Sequence, residues 1–208
     1  MCGIAGYFTL PRLKSSDQMT AEVTRMTDAI VLRGPDDSGA WVDAENGVAL
    51  GHRRLAILAL SPLGPRPMTS ADGRFVIVFN GEIYNFQRLR AELEKNGHSW
   101  LGHSDTEIML SAFRQWGITE ATKRFNGMFA FAVWDKEDRT LTLGRDRLGE
   151  KPLYYGWAND DTFVFASELK AIRALPGFNA AINRDAICAQ LRFNYIPDPW
   201  CIYEGLHK

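Results

Sequence analysis

A cysteine directly after an initiator methionine has a chemical option that no internal cysteine has. The chain opens Met1-Cys2-Gly3-Ile4-Ala5-Gly6. Once Met1 is removed, Cys2 carries both a thiol and the free α-amine. An α-amine titrates near pKa ~7.7–8.0, well below a lysine, so a useful fraction is free base at neutral pH. Nucleophile and general base then sit on one residue. Gly3, Ala5 and Gly6 are small enough for a substrate to approach the backbone closely. The competing reading is a small buried hydrophobe at the start of a strand, a frequent fate of free cysteine. The hexapeptide alone does not separate the two.

A nucleophile that attacks an amide or ester needs donors for the oxyanion, such as a backbone N–H and an asparagine amide. Asn80-Gly81 follows the apolar stretch Arg74 to Phe79 and offers both. Taken alone, Asn-Gly favours a hairpin turn, although the sequence after Gly81 soon becomes helical. Arg54 carries a planar fork suited to a carboxylate. Glu82 and Asp105 could hold an ammonium group. Each also has a plain role: a surface arginine, a solvated strand-end charge, and a first-turn acid favoured by the helix dipole.

The elements that must position these residues follow from periodicity. Ile4 to Leu10 reads as a strand. Met19, Val23, Met26 and Ile30 recur at helical spacing, which predicts a helix over Thr20 to Leu32, stopped by Arg33-Gly34-Pro35. Gly39 to Asp43 and Val48 to His52 read as strands. Arg54 to Leu60 is an apolar run. A helix is expected from about Asn85 to Asn96, closed by Gly97. Ser104-Asp105-Thr106-Glu107 has capping-box spacing and opens a helix that stops at Gly117. Gly127 to Asp135 with Thr140 to Arg145, and Lys151 to Trp157 with Thr162 to Ala166, form hairpins. Ser167 and Asn183 are expected N-caps of helices to Leu175 and about Phe193. Consecutive strands with helices between them, without strict alternation, favour an α+β fold with largely antiparallel sheets.

The 208 residues suit one good-sized domain, and 46% hydrophobic with 24% charged residues is ordinary for a soluble globular protein. A net charge of −1 gives no basic field for nucleic acid or an anionic membrane. No apolar run approaches the ~18 residues of a membrane span, and no signal peptide is expected. The three cysteines, Cys2, Cys188 and Cys201, are odd in number and sparse, which favours a reducing, cytoplasmic setting over a disulfide framework. The four histidines have no zinc-like spacing with them, so no metal site is expected.

Eight colinear segments together give a more specific signal. They are MCGIAGYF, RGPDDSG from 33, GHRRLAIL from 51, NGEIYN from 80, SDTE from 104, NGMFAFAVWD from 126, GRDRLGEKPLYY from 144 and ASELKAI from 166. In this order the chain resembles the class II glutamine amidotransferase domain of the N-terminal-nucleophile hydrolases. Among these it is most similar to glutamine-hydrolysing asparagine synthetases. The resemblance implies a four-layer αββα sandwich of two antiparallel sheets. It implies that Cys2 attacks the side-chain amide of L-glutamine and that Asn80 and Gly81 hold the oxyanion. It implies that Arg54 binds the α-carboxylate and that Glu82 and Asp105 lie around the α-amine. The backbone of Leu55, Ala56, Ile57 and Leu58 would line the pocket. No cofactor is expected for this half-reaction. ATP and magnesium belong to a synthetase domain whose Ser-Gly-Gly-x-Asp-Ser signature is absent here. Residues 1–194 are expected to form the glutaminase domain, and 195–208 the start of a linker to that domain.

Leu32, Ala59 and Glu150 depart from residues common in the family and leave the ammonia acceptor open. So are a homodimer and a pocket that binds glutamine, or docks a synthetase, without turnover.

Overall fold

The computed structural model describes residues 1–10, 13–56, 67–100 and 102–208. Ten strands and six helices follow one another along these residues. They are β1 (Gly3–Thr9), α1 (Ser16–Asp28), β2 (Asp37–Asp43), β3 (Val48–Arg54), β4 (Met68–Thr69), β5 (Phe75–Ile83), α2 (Phe86–Lys95) and α3 (Asp105–Trp116). Then come α4 (Ile118–Arg124), β6 (Gly127–Asp135), β7 (Thr140–Arg145), β8 (Tyr154–Asn159), β9 (Thr162–Ala166), α5 (Leu169–Arg173), α6 (Arg184–Phe193) and β10 (Leu206–His207). A 3-10 turn, Val31–Arg33, lies between α1 and β2.

The strands form two sheets with antiparallel pairings throughout. One has the order β10-β8-β9-β1-β3-β2, the other β4-β5-β6-β7. Side chains alternate across each strand, so each sheet has two distinct faces. Phe75, Ile77 and Phe79 of β5, with Phe129, Phe131 and Val133 of β6, pack beneath α2 and α3. The other face of these strands presents Val76, Val78, Ala130, Ala132 and Trp134 to Ile4, Val48, Leu50 and Phe165 of the larger sheet. The outer face of the larger sheet places Ala5, Tyr7, Ala49 and Val164 against Met19, Val23 and Met26 of α1 and Ala171 and Ile172 of α5. The order of layers is therefore helix, sheet, sheet, helix, the αββα sandwich that the resemblance implied.

Several local expectations meet a different outcome. β5 runs through Asn80 and Gly81, which pair with Ala130 and Phe129 of β6, so this Asn-Gly makes no hairpin turn. Gly81 fits because a Cβ there would lie 2.2 Å from the Met128 carbonyl oxygen. The first helix ends at Asp28, and Leu32 in the 3-10 turn is exposed. Ser167 does not cap α5; its hydroxyl accepts the Ile4 N–H at 3.0 Å. The helix α4 went unread because seven residues show too few apolar repeats. The expected linker is packed onto the domain: Leu206 and His207 pair with β8, Ile182 bridges Tyr203, and Cys201 and Leu206 are buried. Pairing with a neighbouring edge leaves no periodic mark in so short a strand. The capping box at Ser104 and Glu107 forms in full, and Asn183 caps α6 through the Ala186 N–H at 3.0 Å.

Two buried carboxylates hold hairpin and loop geometry. Asp135 accepts Arg74 through both oxygens, with Nη2 to Oδ2 at 2.6 Å, and also the N–H groups of Glu137 and Asp138. Asp146 accepts the N–H groups of Phe129, Glu150 and Lys151. For both, burial works to raise the pKa. Hydrogen bonds, from Arg74 first for Asp135 and from backbone donors for Asp146, outweigh it and hold both below the usual carboxylate range. A depressed folded pKa contributes stability above the unfolded value of ~3.9, and that contribution is lost as pH falls through the folded value. Thermal melts are thus expected to hold steady at mildly acidic pH and to fall below about pH 4. An unchanged Tm down to about pH 2 would contradict this role.

Candidate active site

Cys2 lies immediately before β1 and is half-buried; Ile4, two residues on, faces the smaller sheet. The main chain of Cys2 is held from outside the strand. The Arg33 Nε donates to the Cys2 carbonyl at 3.0 Å, and Arg33 Nη1 pairs with Glu168 at 3.0 Å. For Glu168, burial works to raise the pKa, and hydrogen bonds from Lys170 and Arg33 outweigh it, so the carboxyl sits below its ordinary value. Gly3 lets this corner close. A Cβ there would stand 2.8 Å from Ile30 Cδ1 and 3.3 Å from Arg33 Cβ. The Ile4 amide is fixed by Ser167, and the Ser167 N–H returns a bond to the Ile4 carbonyl at 2.8 Å. The N-terminal end of β1 is thus anchored at the Cys2 carbonyl and at Ile4.

The smaller sheet carries the expected oxyanion donor. Asn80 is 2% exposed, and its Nδ2 has no hydrogen-bond partner among the described residues. It shares the inward face of β5 with Val76 and Val78. A buried donor without an acceptor is uncommon in folded proteins and calls for an explanation. β3 connects this position to Cys2. His52 stands opposite Ile4 in the β1–β3 register, and its Nε2 is 3.0 Å from the carbonyl oxygen of Phe79, the residue before Asn80. The start of β1 and the Asn80 end of β5 are thereby tied across the sandwich.

Of the other expected residues, Glu82 and Asp105 lie at the same end of β5, and Arg54 to Ala56 follow the end of β3. Glu82 follows Gly81 and is exposed. Asp105, the first residue of α3, accepts the Ile83 N–H through Oδ2 at 3.1 Å, so the capping box of α3 brings this carboxylate to β5. Arg54 ends β3 and is half-buried, and its carbonyl accepts the Asp36 N–H at 3.1 Å. Beyond it, Leu55 is half-buried and Ala56 exposed; the Ala56 N–H donates to Asp36 Oδ2 at 2.7 Å. Ile57 and Leu58 lie outside the described residues.

Arg33, Asp36, His52, Asp146 and Lys151 were not singled out from the sequence. The signal for the first two was present in Arg33-Gly34-Pro35-Asp36, which periodicity reads only as a helix stop. Gly34 lies flat on the β3 backbone, where a Cβ would approach the Arg54 nitrogen at 2.5 Å. The glycine therefore lets Arg33 reach Cys2 while Asp36 reaches Ala56. A separate cleft of about 440 Å³, lined by Ser70, Asn96, His98 and Arg114, shares no residue with this constellation.

Chemically the described residues offer a thiol next to the chain's start, a buried amide donor on the smaller sheet, and the Asp105 carboxylate held at the end of β5. Among the described residues, no group of three or more His, Cys, Asp or Glu is placed to hold a metal ion. Nor is any helix among them long and apolar enough to cross a membrane.

Known proteins give this arrangement a family. A family model described as "Glutamine amidotransferase domain" matches residues 1–208. Asparagine synthetase [glutamine-hydrolyzing] 3 of Bacillus subtilis is 40% identical over 189 residues, covering 90% of this chain and 30% of that protein. A putative asparagine synthetase [glutamine-hydrolyzing] 2 of Methanocaldococcus jannaschii is 36% identical over 228 residues, covering all of this chain and 42% of its own length. The chain thus spans well under half the length of these relatives. Among solved structures, glutamine phosphoribosylpyrophosphate amidotransferase from B. subtilis superposes with a TM-score of 0.67 at 21% identity, over 84% of this chain and 43% of that one. That likeness shows a shared fold. With the family model matching from the first residue to the last, the chain belongs to the glutamine amidotransferase domain family.

Proposed function

We propose that this chain hydrolyses the side-chain amide of L-glutamine to glutamate and ammonia, with Cys2 as nucleophile once Met1 has been removed. The observation that carries the reading is the buried Asn80 Nδ2 on β5, which has no hydrogen-bond partner among the described residues. In this reading the Cys2 α-amine takes the thiol proton, and the thiolate attacks the amide carbon. Negative charge gathers on the amide oxygen, where Asn80 Nδ2 and the Gly81 N–H donate. Such preorganised donors act where charge develops, at no cost in reorganisation. The α-ammonium returns its proton to the departing ammonia. Water then attacks the thioester, and glutamate and the free thiol result.

Arg54 receives the substrate α-carboxylate, and Glu82 and Asp105 receive its α-ammonium. The backbone of Leu55 and Ala56 lines the pocket, with Asp36 fixing the Ala56 N–H. By the similarity to glutamine-hydrolysing asparagine synthetases, the ammonia serves a synthetase domain outside this sequence. That domain, not this chain, would use ATP and magnesium to amidate aspartate or another acid.

Ammonia release from glutamine by the chain lacking Met1 tests the reading. Tight glutamine binding with no ammonia released would favour a sensor or docking module instead. Arg54→Met is expected to raise KM for glutamine about tenfold to a hundredfold with a smaller change in kcat, because a carboxylate clamp acts in ground and transition states alike. Steady-state kinetics checks this; an unchanged KM would remove Arg54 from the pocket.

A further inference from the structure

Lys151 is a buried cation that the hydrolytic steps above leave unused. It is 6% exposed, and among the described residues its ammonium has one hydrogen-bond partner, the thioether Sδ of Met1 at 3.3 Å. A thioether is a weak acceptor, a poor match for a desolvated ammonium with three donors. Met1 itself is more than half exposed. The rest of Lys151 is fixed. Its N–H is held by Asp146 Oδ2 at 3.0 Å, and its carbonyl accepts Arg145 Nε at 2.8 Å. Asp146 also holds the N–H of Phe129, which stands opposite Gly81 in the β5–β6 register. One carboxylate therefore sets the lysine loop and the strand behind the expected oxyanion hole in a single frame.

We infer that Lys151 is a positioning residue for the general base: when Met1 leaves, its ammonium faces the new α-amine of Cys2 and disfavours that amine's protonated form. The inference rests on the glutaminase reading only for its catalytic meaning. A like charge nearby, in surroundings that exclude water, lowers the pKa of an amine. The lower value enlarges the free-base fraction that takes the thiol proton. Other charged or titratable groups near this corner are Arg33 on the Cys2 carbonyl, Glu168 on Arg33, His52 across from Ile4, and Asp146 and Glu150 in the lysine loop. Arg33 is paired with Glu168, and Asp146 is engaged by backbone donors. Among the described residues, Lys151 has neither kind of partner for its ammonium.

The test is trace acetylation of the α-amine across pH, read on the N-terminal peptide by mass spectrometry. It uses the chain lacking Met1, with Cys2→Ala so that the thiol does not react. The α-amine is expected to titrate about one pH unit below its ordinary ~7.7–8.0. Lys151→Met should restore the ordinary value, and Lys151→Arg should keep the depressed one. With Cys2 intact, the acid limb of kcat/KM for glutamine should move upward in Lys151→Met by the same amount. An α-amine titrating at its ordinary value in the otherwise unaltered chain overturns the inference whether or not Lys151→Met folds. So does a midpoint that Lys151→Met leaves unmoved. A chain that releases no ammonia, yet has a depressed α-amine that Lys151→Met restores, would sink the glutaminase reading and leave this inference standing.

Discussion

Cys2→Ala is expected to lower glutamine hydrolysis by at least ~10⁴-fold, since a group acting as nucleophile leaves only the contribution of binding and the oxyanion hole when removed. Folding should be nearly untouched. The contacts that hold this corner run through the Cys2 carbonyl to Arg33 and the Ile4 amide to Ser167, and neither uses the thiol. A thermal melt within about 2 °C of the parent, beside an ammonia assay at background, is the expected pair of results. A variant that keeps a tenth of the parent rate would mean that another group attacks the amide. In a longer protein that carries a synthetase domain, the same substitution should abolish glutamine-dependent synthesis and spare synthesis from added ammonia.

Asn80→Ala is expected to cost ~10²–10³ in kcat, the usual effect of losing one oxyanion donor, with KM for glutamine changed far less. Its effect on stability should be unusual for so buried a polar residue. A donor without a partner among the described residues forfeits none of their hydrogen bonds when deleted, and its removal relieves the desolvation cost of burying it. Against this stands a small cavity beside Val78 and Ala130. The two effects oppose, and a net change within about 1 kcal/mol is expected. Denaturant unfolding of parent and variant, measured beside their kinetics, checks both parts. A loss of less than tenfold in kcat, or a destabilisation above about 3 kcal/mol, would turn Asn80 into a structural residue.

How far the sequence carried this account differs from element to element. The hairpin of Gly127–Asp135 and Thr140–Arg145 is legible because both strands are long and end at polar residues. The capping box at Ser104 is legible because its chemistry is local to four residues. Asn80-Gly81 is the instructive failure of local reasoning. The dipeptide that most often turns a hairpin lies inside β5, since pairing with Ala130 and Phe129 overrides a two-residue preference. The same override moved Ser167 from helix cap to partner of Ile4, and drew Leu206 and His207 onto the sheet edge.

Among the expected site residues, Cys2, Asn80, Gly81, Arg54, Glu82 and Asp105 could be singled out by type and position. The supporting set could not. Arg33, Asp36 and His52 act through atoms of residues far away in the chain, and only the fold brings Arg33 to Cys2 or His52 to Phe79. Lys151 is the extreme case. Nothing in Gly149-Glu150-Lys151-Pro152 marks a buried ammonium, and its neighbour in space is the first residue of the chain.

The most direct test of the central claim is intact-protein mass spectrometry before and after incubation with the electrophilic glutamine analogue diazo-oxo-norleucine. The starting mass reports whether Met1 is gone. In the chain lacking Met1, one added adduct on Cys2 is expected, blocked by excess glutamine and absent in Cys2→Ala. No adduct on that chain, or one formed equally well in Cys2→Ala, would contradict a Cys2 nucleophile in a glutamine-shaped pocket.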